Sequence, residues 1–368
     1  MQQGKFSRRG FLQGALAAGV ASALPWRLAR ASERSLGVAL VGLGNYSSDR
    51  LAPGLQLTRH CHLAGVVSGS PDKIKHWQQQ YQLPERNCYS YEDFHRIADN
   101  PEIDVVYVVL PNHLHARYSI AAAEAGKHVW CEKPMAMDAA EAEQMIAAAR
   151  RNKVKLSIGY RLLHEPNTRR IMQLAQSRPF GQMQQLRVEA GFHAYQESDV
   201  GHNWRLDPAC GGGAMYDMGV YSLNAARYTT GREPLAVTAR SEVRRPQIFR
   251  GVDEFMHFDL EFDDGLVANC ATSFGQNMNL LHADCQHGWY ELSPFQPYDG
   301  IAGRASDGQV FNASVPHQQA LQMDEDALAI LRDLPLRAPG EQGLADMRVL
   351  DAIFASVRAG GARMQLPG

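Results

Sequence analysis

Two patterns of apolar and polar positions divide the chain near residue 160. Over residues 36–158, short apolar runs rich in β-branched residues alternate with amphipathic helical stretches. The runs are Gly37–Val41, His62–Val67, Asp104–Leu110, His128–Cys131 and Lys155–Ile158, and the helical stretches are Asp72–Tyr81, Leu114–Ala125 and Ala139–Arg151. Buried strands that alternate with helices indicate a parallel, doubly wound sheet. The first pattern therefore predicts an α/β domain of Rossmann topology over residues 32–160.

The second pattern, after Arg161, has longer segments in which apolar and polar residues alternate. These segments are Gln182–Phe192, Ala236–Val243, Glu254–Phe262 and Leu266–Phe274, and they follow a predicted helix over Pro166–Gln176. Asp263-Asp264-Gly265 is a hairpin turn signal, and residues 293–316 have the Pro, Gly, Asp and Ser content of a loop. We therefore predict an α+β domain over residues 161–368 with a large, mainly antiparallel, open sheet. Its last two helices, Gln318–Arg332 and Gly343–Ala359, are expected to pack back on the Rossmann domain.

The N-terminus has the features of an export signal. Residues 5–12 read Lys-Phe-Ser-Arg-Arg-Gly-Phe-Leu, an apolar run of 14 residues follows from Phe11 to Leu24, and Ala29-Arg30-Ala31 has the small-x-small form of a cleavage site. The run is too short to span a membrane, which takes roughly 20 residues. Residues 1–31 therefore resemble a twin-arginine signal, which predicts a periplasmic protein exported by that machinery.

Charge and cysteine content exclude several classes of function. The 368-residue chain has a formal net charge of −2, and removal of residues 1–31 takes away five basic residues and no acidic one, which changes it to −7. That charge argues against nucleic acid or an anionic membrane as a partner. The six cysteines and the histidines lack metal-ligand spacing. We therefore predict no metal site and thiols that are mostly buried.

A glycine-rich turn follows the first predicted strand. Gly42 and Gly44 begin the pattern Gly-x-Gly-x-x-Ser, which continues through Asn45 and Tyr46 to Ser47 and enters a predicted helix. Such glycines allow a tight turn and close approach of the backbone to a pyrophosphate, which lies at the helix N-terminus. Gly42, Gly44, Asn45 and Tyr46 are therefore predicted to bind a dinucleotide.

The end of the second strand bears on the choice of dinucleotide. A site for NAD usually has an acidic residue there, which binds the ribose 2′-hydroxyl. This chain has Ser68, with Lys73 five residues later. Because a hydroxyl and a cation suit a 2′-phosphate, Ser68 and Lys73 favour NADP; a Lys73 that is only a solvated helix residue is the alternative.

Polar motifs follow the next two strands, at the sheet edge where open α/β domains bind ligands. Leu110, Asn112 and His115 follow one strand and are predicted to bind the cofactor, and Glu132-Lys133-Pro134 follows the other strand. Glu-Lys-Pro at this position resembles the glucose–fructose oxidoreductase and inositol dehydrogenase family, over nearly the whole chain after the signal. The resemblance implies that Lys133 contacts both substrate and nicotinamide. Burial and the like charge of an oxidised nicotinamide would weaken the hold of Lys133 on its proton.

A third motif carries the resemblance further. A triplet of glycines at 211–213 leads into a helix on which Asp217 and Tyr221, four residues apart, share a face. Tyrosine at position 221, where many family members have histidine, is similar to the glucose–fructose and aldose–aldose oxidoreductase branch, as are Trp204-Arg205 and Gly159-Tyr160-Arg161. The resemblance assigns Tyr221 as general base, Asp217 and Tyr160 to the sugar, and Glu132, Arg161, Trp204 and Arg205 to the cofactor side.

The resemblance and the export signal together imply a mechanism. Free NADP is a cytoplasmic metabolite, so an exported enzyme must carry its cofactor tightly bound and regenerate it in place. We therefore expect ping-pong hydride transfer, in which one aldose is oxidised at C1 to its lactone and a second sugar is reduced. The alternatives are a dehydrogenase that exchanges its cofactor, an NAD-dependent glycosidase and a non-catalytic sugar-binding protein. Because only about five residues separate the cleavage site from the first strand, the long N-terminal arm of the branch is missing, and a dimer is expected rather than a tetramer.

Overall fold

The computed structural model describes residues 34–366. Residues 1–33 and 367–368 lie outside the described residues, and so does the predicted export signal. Among the helices of residues 34–366, none combines the length and apolar content that a membrane span needs.

The N-terminal part is a six-stranded sheet in which every neighbouring pair is parallel. Its order is β3-β2-β1-β4-β5-β6. The strands are β1 (Leu36–Val41), β2 (Cys61–Val67), β3 (Cys88–Tyr89), β4 (Val105–Val108), β5 (His128–Cys131) and β6 (Leu156–Ile158). The order reverses between β1 and β4, and this reversal opens a crevice at the carboxyl ends of the strands. Nucleotide-binding sheets bind their ligand in that crevice.

Helices cover both faces of this sheet. They are α1 (Ala52–Leu55), α2 (Pro71–Tyr81), α3 (His115–Glu124) and α4 (Ala139–Arg151). Polar side chains cap two of them: the Asp138 carboxylate accepts the Glu141 amide at 2.8 Å, and the Ser70 hydroxyl accepts the Lys73 amide at 3.4 Å. Such caps satisfy amide groups that the first turn leaves without partners. They define where α4 and α2 begin.

The second sheet has nine strands in the order β14-β13-β12-β11-β7-β10-β9-β8-β15. Only β7 and β10 pair in parallel, because the chain between them passes through a helix and two other strands. The strands are β7 (Met183–Gly191), β8 (Ala236–Glu242), β9 (Phe255–Glu261), β10 (Val267–Ser273), β11 (Met278–Cys285), β12 (Gly288–Leu292), β13 (Gly303–Ala305), β14 (Val310–Phe311) and β15 (Met364–Gln365). Helices α5 (Pro166–Ser177) and α6 (Val220–Thr230) belong to this half.

Two long helices near the C-terminus, α7 (Gln318–Leu331) and α8 (Gly340–Arg358), contact the N-terminal sheet. Met323 of α7 shares an apolar cluster with Val38 of β1. The Ser157 hydroxyl of β6 donates to the Asp326 carboxylate of α7 at 2.8 Å. These contacts hold residues distant in sequence beside the carboxyl edge of the parallel sheet.

The predicted fold class is confirmed, and the differences concern individual strands and one helix start. Strand β3 has only two residues, and β13 and β14 lie inside the predicted loop at 293–316. Strand β11 was missed because only two of its eight residues are buried, so its apolar alternation is weak. Helix α8 begins three residues before the predicted Gly343.

Candidate active site

The glycine turn has the geometry that a dinucleotide requires. Gly42 adopts φ +99°, and a Cβ there would lie 2.2 Å from the Val109 carbonyl oxygen. At Gly44 a Cβ would meet nothing within 4 Å, so the backbone faces open space. The chain is helical from Asn45 to Leu55, with a π-helical turn at Ser47–Leu51. A tight turn, open space and a helix start are what a pyrophosphate needs, and these residues fit that group.

Ser68 and Lys73 lie beside this turn. The buried Ser68 hydroxyl accepts the Ser70 amide at 3.2 Å, and Lys73 Nζ donates to the Leu43 carbonyl at 3.2 Å. Lys73, although exposed, therefore reaches from α2 back to the glycine turn. The structure places a hydroxyl and a cation at the sheet position that distinguishes NAD from NADP.

His115 joins the loops that follow β4 and β5, and Asn112 joins the first of these loops to the glycine triplet. The two ring nitrogens of buried His115 lie 2.8 Å from the Leu110 carbonyl oxygen and 2.7 Å from that of Pro134. Burial lowers the pKa of His115 to about 4. Asn112 Nδ2 donates to the Gly211 carbonyl at 2.8 Å. These side chains therefore hold the backbone around Lys133.

Lys133, Asp217 and Arg205 meet at the centre of this edge. Lys133 Nζ donates to the Asp217 backbone carbonyl at 2.7 Å and lies 3.2 Å from its Oδ1. Arg205 Nε lies 3.0 Å from Oδ2 of the same carboxylate. Asp217 therefore holds two cations that come from different parts of the chain.

The pKa values follow from these contacts. Burial by itself would raise the pKa of Asp217, but Arg205 and Lys133 outweigh it and lower the pKa to about 2. Burial would lower the pKa of Lys133, but Tyr221, Asp217 and Glu132 outweigh it and raise the pKa above its usual value. In the protein without a nicotinamide, these neighbours outweigh burial, and the weakening expected beside an oxidised nicotinamide stays a prediction for the complex with the cofactor.

The turn that carries Asp217 depends on Gly213 and Asp253. Asp253 Oδ2 accepts the Met215 amide at 2.7 Å, and a Cβ at Gly213, whose φ is +109°, would lie 2.3 Å from the other oxygen of that carboxylate. A π-helical turn at Met215–Gly219 then continues into α6. This turn places Asp217 and Tyr221 on the side of Lys133.

Tyr221 lies between two cations. Lys133 Nζ is 4.7 Å from the centroid of its ring, and Arg161 Cζ is 5.3 Å from it. Arg161 is only 1% exposed, forms no ion pair within residues 34–366, and its Nε has no hydrogen-bond partner there. It donates instead to the carbonyls of Gln296 and Pro297 and to the Gln318 side chain. A buried cation without a carboxylate is costly, so this end of the site favours a negatively charged ligand.

Tyr298 and Arg50 are functional candidates that sequence reasoning missed. Arg50 and Arg161 both lie over the Tyr298 ring, with Cζ 4.4 and 4.6 Å from its centroid. The Tyr46 ring is 6.0 Å away, and the Tyr46 hydroxyl accepts Gln319 Nε2 at 3.2 Å. Burial raises the pKa of Tyr298 to about 12. No motif marks Tyr298, because it lies in an irregular connection.

The remaining predicted residues lie at the margins of the cluster or outside it. The Arg205 guanidinium stacks on Trp204 at 4.5 Å, at the outer side of Asp217. Glu132 is buried and accepts the Tyr107 hydroxyl at 2.7 Å, and burial raises its pKa. Tyr160 is also buried, and its phenol is close enough to Asp346 for that carboxylate to help raise its pKa. The structure therefore does not bring the Tyr160 side chain to Lys133.

All six cysteines are free thiols, three of them buried and three partly exposed. No group of three or more histidine, cysteine or acidic residues within residues 34–366 is arranged to hold a metal ion.

A Rossmann sheet with this glycine turn, joined to a domain that places a lysine, an aspartate and a tyrosine at its carboxyl edge, defines an NAD(P)-dependent oxidoreductase. Comparison with known families agrees. Residues 36–160 match the model described as "Oxidoreductase family, NAD-binding Rossmann fold", and residues 168–292 match the "GFO/IDH/MocA C-terminal domain". The chain belongs to the GFO/IDH/MocA family of oxidoreductases, which confirms the resemblance found in the sequence.

Three relatives illustrate the likeness. The crystal structure of aldose–aldose oxidoreductase from Caulobacter crescentus, complexed with glycerol, is 39% identical with a TM-score of 0.86, covering 90% of this chain and 100% of that one. D-xylose 1-dehydrogenase [NADP(+)] from Haloarcula marismortui is 28% identical over 341 residues, which are 89% of this chain and 93% of the relative. A 3-ketoreductase from Actinomadura kijaniata, in complex with NADP and TDP-benzene, shares the fold at 22% identity and a TM-score of 0.77, covering 88% of this chain and 98% of that one.

Proposed function

We propose that this protein is an exported, NADP-dependent sugar oxidoreductase that keeps its cofactor bound. One aldose, glucose-like, is oxidised at C1 to its lactone, and a second sugar is reduced to an alditol. The observation that carries the proposal is the meeting of Lys133, Asp217 and Tyr221 at the sheet edge that the glycine turn also borders. The kinship with an aldose–aldose oxidoreductase and a D-xylose 1-dehydrogenase supports C1 of an aldose as the reacting carbon.

A dinucleotide held at the Gly42–Gly44 turn would supply, through its nicotinamide, the hydride acceptor for C1 of one sugar and the hydride donor for the next. The phenolate form of Tyr221 takes up the proton of the C1 hydroxyl and becomes the phenol, and Lys133 Nζ polarises the C1 oxygen. Asp217 holds Lys133 and Arg205 in position, and its carboxylate accepts a hydrogen bond from a sugar hydroxyl. In the return step Tyr221 gives the proton to the second sugar, and Lys133 and Arg161 stabilise the negative charge that develops on its oxygen.

The preference for NADP rests on Ser68 and Lys73. An acidic side chain at the end of β2 would repel a 2′-phosphate, and this chain has the Ser68 hydroxyl there. Lys73 Nζ, held 3.2 Å from the Leu43 carbonyl, adds a positive charge beside the same corner. The relative from Haloarcula marismortui is named as an NADP(+) enzyme.

Retention of the cofactor follows from the proposed route of export. A twin-arginine signal directs a protein that folds before it crosses the membrane, so the cofactor crosses with it and meets no dissolved pool afterwards. Hydride and proton taken from the first sugar must then be given to the second. The reaction is therefore ping-pong and needs no external electron carrier. We propose that the processed protein works in the periplasm as a homodimer.

An absorbance spectrum of the purified, processed protein tests the proposal, recorded before and after glucose is added without any cofactor. We expect a band of reduced nicotinamide that fades when a second sugar is added. Activity only with added NADP would instead indicate an exchanging dehydrogenase. The absence of any response, with or without NADP, would contradict the assignment and favour the glycosidase or the sugar-binding protein.

A further inference from the structure

The connection between β12 and β13, residues 293–302, is firmly anchored at its base. Phe295 is fully buried, and the amides of Phe295 and Gln296 both donate to Asn279 Oδ1, at 2.8 and 3.0 Å. The Ser293 amide donates to the Ala302 carbonyl at 2.8 Å, which closes the base. The tip, residues 296–299, therefore projects from a rigid support.

On its inner side the tip is held by Arg161. This guanidinium donates to the carbonyls of Gln296 and Pro297 and lies 4.6 Å from the Tyr298 ring centroid. Gln318 Nε2 donates to the same Pro297 carbonyl at 3.1 Å. Because Arg161 is buried, these contacts are shielded from water and are strong.

On its outer side the tip is held by Arg50, which belongs to the helical segment that follows the glycine turn. Arg50 Cζ lies 4.4 Å from the Tyr298 ring centroid, and its NH1 lies 3.5 Å from Asp299 Oδ2. The Arg50 side chain is 34% exposed and that of Asp299 is 71% exposed. The ion pair is therefore weak by itself, and the contact between Arg50 and the ring is the stronger part.

The tip occupies a defined place relative to the site. Arg50 and Tyr46 belong to the helix at the glycine turn, whereas Arg161 contacts the ring of Tyr221 at the other end of the site. A dinucleotide bound at this edge has its pyrophosphate at the turn and its nicotinamide beside Lys133. The contacts of Tyr298 therefore bridge the two places that the cofactor must occupy together.

We propose that Arg50, Tyr298 and Arg161 form a cofactor clamp, which closes over the bound dinucleotide and sets its rate of release. The proposal rests on the proposed function, in which the cofactor stays bound through many cycles. Release begins on the outer side, where the exposed contacts of Arg50 and the ring contact between Tyr46 and Tyr298 join the tip to the helix at the glycine turn. Arg161 and the anchored base keep their contacts while the outer side opens, so the tip can close again afterwards.

The test measures the rate at which NADP leaves the purified holoenzyme. The protein is diluted into an excess of a freely exchanging NADP-dependent dehydrogenase with its own substrate, which converts each released NADP into its absorbing, reduced form. Tyr298→Ala is expected to release NADP at least tenfold faster, and Arg50→Gln about tenfold faster, as the loss of a partly buried cation–π contact implies. Asp299→Asn, which removes only the exposed ion pair, should change the rate less than about twofold.

Arg232→Gln is the matched control. Arg232 also lies over an aromatic ring, with Cζ 5.3 Å from the Phe262 centroid, and pairs with Asp263 at 2.8 Å, but it follows the far end of α6. Its loss should leave the release of NADP unchanged.

The result separates the clamp from the proposed function. Slow release of NADP from the unsubstituted protein and from both Tyr298→Ala and Arg50→Gln would overturn the clamp. It would leave unchanged the proposal that the cofactor stays bound. Rapid release from the unsubstituted protein would overturn the captive cofactor and the clamp with it. Equal acceleration in Arg232→Gln would show a loss of general stability and would also overturn the clamp.

Discussion

Helix α6 carries a charge cluster at each end, and the two clusters differ in how complete they are. Arg227, in its last turn, is bonded at Nε and NH2 to Glu233, at 2.7 and 2.6 Å, and at NH1 to the buried Asp346 carboxylate. Every nitrogen of this guanidinium has a partner, and the cation is paired with two carboxylates. We refer to these three residues as the closed cluster.

The cluster at the first turn of α6 is open. Lys133, Arg205 and Arg161 surround Asp217 and Tyr221, and Asp217 is the only carboxylate that pairs with any of the three cations within residues 34–366. Arg161 Nε also lacks a partner there. The same buried helix therefore holds one cluster that is complete by itself and another with surplus positive charge and free donors. The difference teaches that burial of charge alone does not mark a site, whereas burial of charge without its partner does.

The largest effect is expected where the open cluster meets the substrate. Lys133→Met should lower turnover about a thousandfold, because a group that polarises the reacting oxygen is lost, while bound NADP is retained. Steady-state kinetics and the nucleotide content of the purified variant provide the measurement. Lys155→Met is the matched control, since Lys155 also contacts a carboxylate, that of Asp333 at 3.0 Å, and a backbone carbonyl, that of Leu334. Full turnover in the Lys133 variant would refute its assigned role.

The two arginines provide the second test of the comparison. Arg227→Met should lower the free energy of unfolding by about 3–5 kcal/mol, because it leaves the Asp346 carboxylate buried without a cation. The folded fraction should keep its turnover. Arg161→Met deprives no buried carboxylate of an ion-pair partner, so it should lower the free energy of unfolding by less than about 2 kcal/mol. It should nevertheless lower turnover at least tenfold. Urea unfolding measures the stability of both variants, and steady-state kinetics measures their turnover. Equal losses of stability would contradict the distinction between the two clusters.

The open cluster was largely predictable from the sequence because its chemistry lies in motifs. Glu132-Lys133-Pro134 directly follows a recognisable parallel strand, whose carboxyl end lies at the ligand-binding edge. The 211–221 segment begins with a recognisable glycine turn. Tyr298 and Arg50 were not predictable, because Tyr298 lies in a connection without a repeating pattern and Arg50 has the sequence context of an ordinary helix-surface arginine. Tyr160 was assigned to the sugar, but its side chain lies near Asp346 while that of its neighbour Arg161 contacts Tyr221.

The strands divide in the same way into those that the local sequence predicts and those that it does not. Strands buried on both faces, such as β1 and β4, were found from their apolar runs. Strands β11 to β14 lie at one side of the open sheet, where burial is partial and alternation is weak. Pairing with neighbours distant in the chain, which no local pattern records, determines their conformation.

Two buried carboxylates near the start of α6 should make stability depend on pH in opposite directions. Asp217, paired with two cations, has a pKa of about 2, whereas burial raises the pKa of Asp253, which caps the same turn without a cation, to about 6. A lowered pKa gives stability that is present above about pH 4 and is lost as pH falls towards 2. A raised pKa gives the opposite: stability present below about pH 4 that is lost as pH rises through 6.

Asp253→Asn should therefore gain stability relative to the unsubstituted protein as pH rises from 4 to 7. The gain is roughly 2–3 kcal/mol, which corresponds to a shift of about two pKa units. Urea unfolding at pH 4, 5, 6 and 7 measures it, and Asp207→Asn, at an exposed carboxylate nearby, serves as control. A constant difference across this range would show that Asp253 is ionised throughout.

The smallest effect is expected when a carboxylate is placed beside Lys73, the other cation of the site. Ser68→Asp places an acid at the end of β2, near Lys73, and so makes that corner resemble the closed cluster. The new charge repels a 2′-phosphate and accepts the ribose hydroxyls, so the ratio of NADP affinity to NAD affinity should fall about tenfold, or about 1.4 kcal/mol. Affinities measured on protein stripped of nucleotide test this, with Ser70→Asp as control, because an acid at that N-cap keeps the cap and adds the same charge two residues further along. If both variants shift the ratio equally, the effect is one of net charge, and Ser68 has no special place in the choice of cofactor.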